Sequence, residues 1–175
     1  MARPTLIVYC GLPGVGKSVA SAYTAEHLEA KRYRSDRVRK RFFPEPTYSS
    51  EETDATYEEL LSRARSSLES GANVVLDATF QSKPYRDRAV EIARAADARI
   101  TFVHVDCDLE VVEVRIENRT NAVSDARFEQ HLQLRETFDP LERDHVVVDN
   151  SGSLEETYEQ IDRKLLEPAV QGQGR

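Results

Sequence analysis

Short, continuous apolar runs alternate along the chain with longer stretches of helical period. Thr5–Cys10 (TLIVYC), Asn73–Asp77 (NVVLD), Ile100–Val105 (ITFVHV) and His145–Asp149 (HVVVD) are the runs. Apolar segments this short, without polar alternation, predict strands buried on both faces. Tyr33–Ser35 is a weaker strand candidate. Between the strands, helices are predicted over 17–31, 36–43, 51–70, 83–96, 109–117, 124–138 and 153–166. Their ends are punctuated as helix ends should be. Pro44 and Pro46 stop the second, Gly71 stops the third, and Asp36 and Ser50 fit as N-caps. Ser153 with Glu156 three residues on spells a capping box. Val19, Ala22, Tyr23 and Leu28 are the inward positions expected of the first helix.

Strands alternating with helices predict an α/β fold. About five parallel strands would lie between two helical layers, joined by right-handed crossovers. No internal repeat or linker interrupts the pattern. The expectation is one domain over 1–167, a helical lid over about 115–138 and a frayed tail over 168–175. The strongest strands end at Cys10, Asp77, Asp106 and Asp149. In open parallel sheets ligands bind at the carboxyl ends of the strands. Three of these ends carry an acid, and the fourth runs into a glycine-rich turn.

That turn reads Gly11-Leu12-Pro13-Gly14-Val15-Gly16-Lys17-Ser18. Its form is G-x-x-x-x-G-K-[ST], between a strand and a helix as phosphate binding demands. The glycines let backbone N–H groups approach a phosphate, and the helix that follows adds its dipole. Lys17 supplies a charge for the β and γ phosphates of ATP or GTP. Ser18 supplies a hydroxyl for Mg²⁺, with Pro13, Val15 and Val19 completing the turn around the nucleotide. Asp77 closes a buried strand and is a candidate second metal ligand, or else a loop acid. Thr79, two residues on, is a candidate contact to the acceptor or the γ phosphate.

Two charged pairs add to this. Asp36 and Arg39 lie three apart on one helix face. Asp36 suits a general base for an attacking hydroxyl, and Arg39 suits acceptor binding or support of Asp36. An N-cap beside a surface arginine is the competing interpretation. Arg115 and Arg119 lie four apart just before a helix break. Paired arginines on a lid suit the charge of a transferring phosphoryl group. Surface ion pairs with Glu113 and Glu117 are the alternative. Arg127 and Arg135 are further lid candidates.

Charge and cysteine content narrow the classes. The net charge is −7, yet Lys31–Arg41 (KRYRSDRVRKR) carries seven basic residues and one acidic, leaving −13 for the rest. A focused anionic ligand fits this better than nonspecific coating of nucleic acid. Cys10 and Cys107 are the two cysteines, with no C-x-x-C, and the four histidines lack zinc-ligand spacing. No apolar run approaches the ~20 residues of a membrane helix. No secretory h-region follows Met1, so a cytoplasmic protein without a membrane partner is expected, a monomer by default.

GLPGVGKS, SDRVRK, a Glu-rich helix, NVVLDATF and R-x-x-x-R, in that order, resemble the small P-loop kinases of the AAA_33, zeta-toxin-like kind. Within that group they resemble the kinase domains of polynucleotide 5′-hydroxyl kinases. The resemblance runs from about Leu6 to Asp149. It implies a P-loop NTPase αβα sandwich, ATP and Mg²⁺ as cofactors, and transfer of the γ-phosphoryl to a hydroxyl. The acceptor it implies is a polynucleotide 5′ end or a small molecule. It assigns Asp36 as base, Arg39 to an acceptor phosphate, Asp77 to the metal, and Arg115 and Arg119 to the donor phosphates. The loop Asn150-Ser151-Gly152 would line the adenine pocket. Asp77-Ala78-Thr79 departs from those kinases, which carry a polar residue at the second position. Two competitors stay open: a nucleotide-hydrolysing switch, with Gln81 to orient water, and a nonenzymatic nucleotide- or RNA-binding module.

Overall fold

The structure is a computed structural model; it describes residues 2–118 and 121–167, with side chains for all of these except 121–127. Five strands form one parallel sheet: β1 (Thr5–Cys10), β2 (Lys31–Arg34), β3 (Val74–Asp77), β4 (Arg99–Asp106) and β5 (Val146–Asp149). Their order is β2-β3-β1-β4-β5, which puts β1 and the glycine-rich turn at the centre. Helices α1 (Lys17–His27), α2 (Ser35–Phe42), α3 (Ser50–Glu69), α4 (Lys83–Ala95), α5 (Leu109–Glu117), α6 (Asn121–Thr137) and α7 (Leu154–Ile161) alternate with them. A π-helical turn, Asp162–Leu166, extends α7.

The side-chain period of two makes β1 a divider between two cores. Leu6, Val8 and Cys10 pack with Leu60, Leu61, Leu76 and Phe80 on the α3–α4 side. Ile7 and Tyr9 pack with Val75, Val103, Val112 and Ile161 on the α1–α7 side. Each fully buried leucine contributes about 1.5–3 kcal/mol. The two-faced burial predicted from the apolar runs holds for β1 and β3, whereas β5, at the edge of the sheet, leaves Val147 exposed.

Several boundaries shift. The strand predicted at 33–35 begins at Lys31, because its backbone pairs in register with Val74–Asp77 of β3. Asp36 is not an N-cap; it sits in the first turn of α2, and Arg34 occupies the cap position. Ser49 rather than Ser50 caps α3, accepting from the Glu52 amide. The Ser153–Glu156 capping box is present in full. The fully buried positions of α1 are Ala20, Ser21, Thr24 and Ala25, while the predicted Tyr23 and the Leu28 that follows the helix pack half-buried against the same core. Small side chains let α1 lie close to the sheet, and Val19 is left 41% exposed. No helix among the described residues is long and apolar enough to cross a membrane.

Candidate active site

The glycine-rich turn joins β1 to α1 and is braced from three directions. Gly11 N donates to Thr79 O at 3.1 Å, tying it to the strap after β3. His131 of α6 is buried, with Nδ1 2.7 Å from Pro13 O. Asn150, just after β5, donates through Nδ2 to Val15 O at 2.7 Å and accepts from the Thr157 hydroxyl at 2.6 Å. Gly16 has φ +94°, and a Cβ there would lie 2.0 Å from Asn150 Nδ2. Only glycine satisfies both constraints. No side chain caps α1 behind Gly16, so its first amides stay available beside the turn.

In front of the turn lies a cavity of about 320 Å³. Pro13, Gly14, Gly16, Lys17 and Ser18 form one wall, and Arg34, Ser35 and Asp36 form another. Asp77, Ala78 and Thr79 make the floor, and Ile116 of α5 and Gln130 of α6 complete the rim. Lys17 Nζ donates to Leu12 O at 3.1 Å. Burial pushes the Lys17 ammonium below the ordinary lysine pKa, while Asp77 and Asp36 pull it back up. Asp77 is buried and accepts from the Ser21 hydroxyl at 2.7 Å. Ser21 in turn accepts from Arg32 Nη1 at 3.1 Å, and the same nitrogen donates to Ser18 O at 2.7 Å. Arg34 Nε stands 3.7 Å from Asp77.

The structure thus brings Pro13, Gly14, Gly16, Lys17, Ser18, Asp36, Asp77 and Thr79 around one space. Other sequence candidates lie elsewhere. Val15 is buried beneath the turn, and Val19 faces a neighbouring groove. Arg39 is not among the cavity residues. Its helical phase turns it inward, where it pairs with Glu52, donates to Thr53 Oγ1 at 3.3 Å and lies 4.7 Å from the Tyr48 ring centroid. Burial raises the Glu52 carboxyl pKa, but the Thr47 and Tyr48 amides and Arg39 outweigh it and hold the group below its ordinary value. Arg115 also stands off the cavity, 3.5 Å from Cys107 Sγ and 3.4 Å from Gly152 O. Arg119 lies outside the described residues, as does the side chain of Arg127. Arg135 lines a separate small cavity with His104 and His131. Gln81 meets its neighbours through its carbonyl, which accepts from Asp139 N at 2.8 Å. Among the described residues no group of three or more His, Cys, Asp or Glu is placed to hold a metal.

Sequence reasoning missed Arg34, His131 and Arg86. Arg86 is 1% exposed and has no carboxylate partner among the described residues. It donates to the carbonyls of Phe80 (2.7 Å), Gln81 (3.3 Å), Asp139 (2.6 Å) and Pro140 (3.2 Å). The strap behind the cavity floor is thereby fixed to the segment that follows α6. Tyr57 OH supports the same strap, accepting from Phe80 N at 2.9 Å.

Residues 6–141 match the family model AAA_33, described as an AAA domain. The chain belongs to the AAA_33 family. Among curated proteins it is 32% identical over 131 residues to the uncharacterized protein Rv2004c of Mycobacterium tuberculosis, covering 68% of this chain. The same figures hold for the Mycobacterium bovis protein Mb2027c. The AAA_33 chain spans about a quarter of the length of these relatives, 26%. Among solved structures it superimposes on the Mycobacterium tuberculosis APS kinase CysC, in complex with AMPPNP and APS, with a TM-score of 0.75 at 18% identity, covering 95% of this chain and 99% of that one. A gluconokinase from Sinorhizobium meliloti gives 0.67 at 22% identity, covering 98% and 99%. A sugar kinase from Janibacter gives 0.71 at 19%, covering 97% and 98%. At identities this low the likeness shows the fold alone, a five-stranded parallel sheet between helical layers.

Proposed function

We propose that the chain is an ATP-dependent kinase that transfers the γ-phosphoryl group to a hydroxyl. One observation carries this reading: Asp36 faces the Lys17–Ser18 corner of the P-loop across a single cavity floored by Asp77. A carboxylate there takes the proton of the attacking hydroxyl as its oxygen bonds to the γ phosphorus and the bond to ADP breaks. Lys17 and the amides of the turn bind the β and γ phosphates and hold them in line. Phosphoryl transfer rests mainly on such positioning and charge.

The donor set fits Mg²⁺. The Ser18 hydroxyl and the Asp77 carboxylate are hard oxygen ligands that line the same cavity, the number a nucleotide-bound Mg²⁺ takes from protein. Mg²⁺ supplies charge neutralisation on the phosphates when bound. Arg115 and Arg119 are assigned to the donor side. The neighbour of Arg115, Ile116, lines the cavity, and Arg115 itself touches Gly152 in the loop proposed to border the base. The helices from 115 to 138 serve as the lid in this reading. Arg39 acts through α2, its pairing with Glu52 holding the helix that presents Asp36.

Fold neighbours named as gluconokinase and APS kinase support a small-molecule acceptor. The resemblance to polynucleotide kinases supports a 5′-hydroxyl end. A γ-labelled ATP transfer screen tests the proposal, with Mg²⁺, 5′-OH oligonucleotides, nucleosides, sugars and sugar acids, and an acceptor-free control. Label on one acceptor class is expected. Free phosphate alone, equal in every well, would replace the kinase with a nucleotide-hydrolysing switch.

A further inference from the structure

Three arginines around the sheet are spent on protein acceptors. Arg32 serves Ser18 and Ser21, Arg39 serves Glu52, and Arg86 serves four carbonyls. Arg34 is different. Its Nε is the one buried side-chain polar atom without a hydrogen-bond partner among the described residues. Its nearest anion is Asp77 Oδ2, at 3.7 Å. That separation is too long for a hydrogen bond, and the same oxygen already accepts from Ser21 at 2.7 Å. A buried donor without an acceptor is rare in folded proteins and calls for a reason.

Place supplies the reason. Arg34 ends β2 two residues before Asp36 and lines the active-site cavity beside it. With Lys17 and the turn given to the phosphate donor in the kinase reading, Arg34, beside Asp36, is the other cation that lines the cavity among the described residues. It also walls a second groove of about 400 Å³, shared with Ser18, Arg32, Tyr23 and Tyr158. A ligand seated on Arg34 has room to continue outward. Beyond it α2 exposes Arg37, Lys40 and Arg41, on a chain whose net charge is −7. A guanidinium fork suits a planar or tetrahedral oxyanion better than any neutral group.

We infer that Arg34 recognises an anionic group on the phosphoryl acceptor. The acceptor then carries a phosphate, sulfate or carboxylate close to its reacting hydroxyl. This rests on the kinase reading of the same cavity, and it narrows the substrate class. A nucleic-acid phosphate and an anionic metabolite present the same chemistry to Arg34.

The test pairs acceptors that differ only in that anion: a nucleoside 3′-phosphate against its nucleoside, and a sugar acid against its sugar. A 5′-OH oligonucleotide separates polymer from metabolite. Binding is measured by calorimetry with the P-loop filled by saturating Mg²⁺ and AMPPNP, and transfer is measured separately with labelled ATP. At least tenfold tighter binding of an anionic member is expected. Arg34→Gln should erase that preference, and Arg34→Lys should restore part of it. Equal binding of paired members, or no binding of any anionic member at millimolar concentration, overturns the inference. So does an Arg34→Gln variant that weakens both members alike or loses AMPPNP, which would place Arg34 on the donor side. Anion-selective binding without any transfer would keep the site and end the kinase reading. Transfer without anion preference would do the reverse.

Discussion

Asn150 holds Val15 from the edge of the sheet: its Nδ2 donates to the Val15 carbonyl at 2.7 Å, joining residues 135 apart in sequence. Thr157 fixes the other end of the amide at 2.6 Å. The shape of the P-loop is therefore set by β5 and α7 as well as by its own glycines. Asn150→Ala removes the strut and leaves the Val15 carbonyl and the Thr157 hydroxyl without it. A cost of about 1–3 kcal/mol is expected. Both the thermal midpoint and the affinity for an ATP analogue should fall. An unchanged affinity with a lowered midpoint would show that the strut serves stability alone.

Arg86 is a buried cation whose partners are all backbone carbonyls. Its ring neighbour is Phe138, with a centroid 4.9 Å from the guanidinium carbon. Charge-assisted bonds of this kind are worth more than neutral ones, and the carbonyls of Phe80, Asp139 and Pro140 would be stranded together. Arg86→Met should cost about 3 kcal/mol or more, read by urea unfolding. Arg86→Lys, which can reach only some of the carbonyls, should fall between. Equal stability of all three proteins would mean that water replaces the guanidinium without loss.

Much of this architecture was legible beforehand, and the exceptions share a cause. Four strand ends, at Cys10, Asp77, Asp106 and Asp149, lie where the apolar runs place them. Continuous apolar runs have one stable use in a parallel sheet. The P-loop was legible because its chemistry needs specific residues at fixed spacing. Choosing among the arginines of KRYRSDRVRK was not. Arg34 reaches the cavity because β2 pairs it with Asp77, and Arg39 misses it because the phase of α2 turns it toward Glu52. Register and helix phase decide that, and composition carries neither. Arg86 bonds only to backbone, which leaves no partner residue to find in the sequence. On α1, size misled at Val19, which looks inward by hydropathy but is exposed, because close packing against β1 and β3 admits Ala20, Ser21 and Thr24 instead.

His104 on β4 stacks on Phe138 at 5.4 Å and lies 6.3 Å from the His145 ring. Burial is the main force lowering its pKa below the ordinary 6.5, with His145, Arg86 and Lys17 adding to it and Asp106 opposing. The fold therefore favours the neutral ring, and the unfolded chain binds the proton more readily. Stability from this source is complete above about pH 6.5 and is lost as pH falls through the lower folded value. The midpoint should drop on acidification from pH 7.5 to 5, and His104→Gln should flatten that drop. Parallel curves for the two proteins would assign the acid sensitivity to the carboxylates instead.

Lys17 and Asp36 line the same cavity, and their variants should fail in different ways. Lys17→Ala removes the charge proposed to meet the phosphates, so nucleotide affinity and turnover should fall together. Asp36→Asn keeps the size and polarity of the group and removes its basicity. If Asp36 takes the acceptor proton, turnover should fall by about 10²-fold or more. The affinity for ATP should stay near that of the wild type, since no hydrogen bond ties Asp36 to the turn. A rise in pH should not rescue Asp36→Asn, because the amide gains no basic form there. The alternative gives a different pattern: an Asp36 that merely supports the first turn of α2 would lose stability and ATP affinity in proportion, with turnover per folded molecule intact. Single-turnover rates beside equilibrium ATP binding separate the two, because the first sees the proton transfer and the second does not.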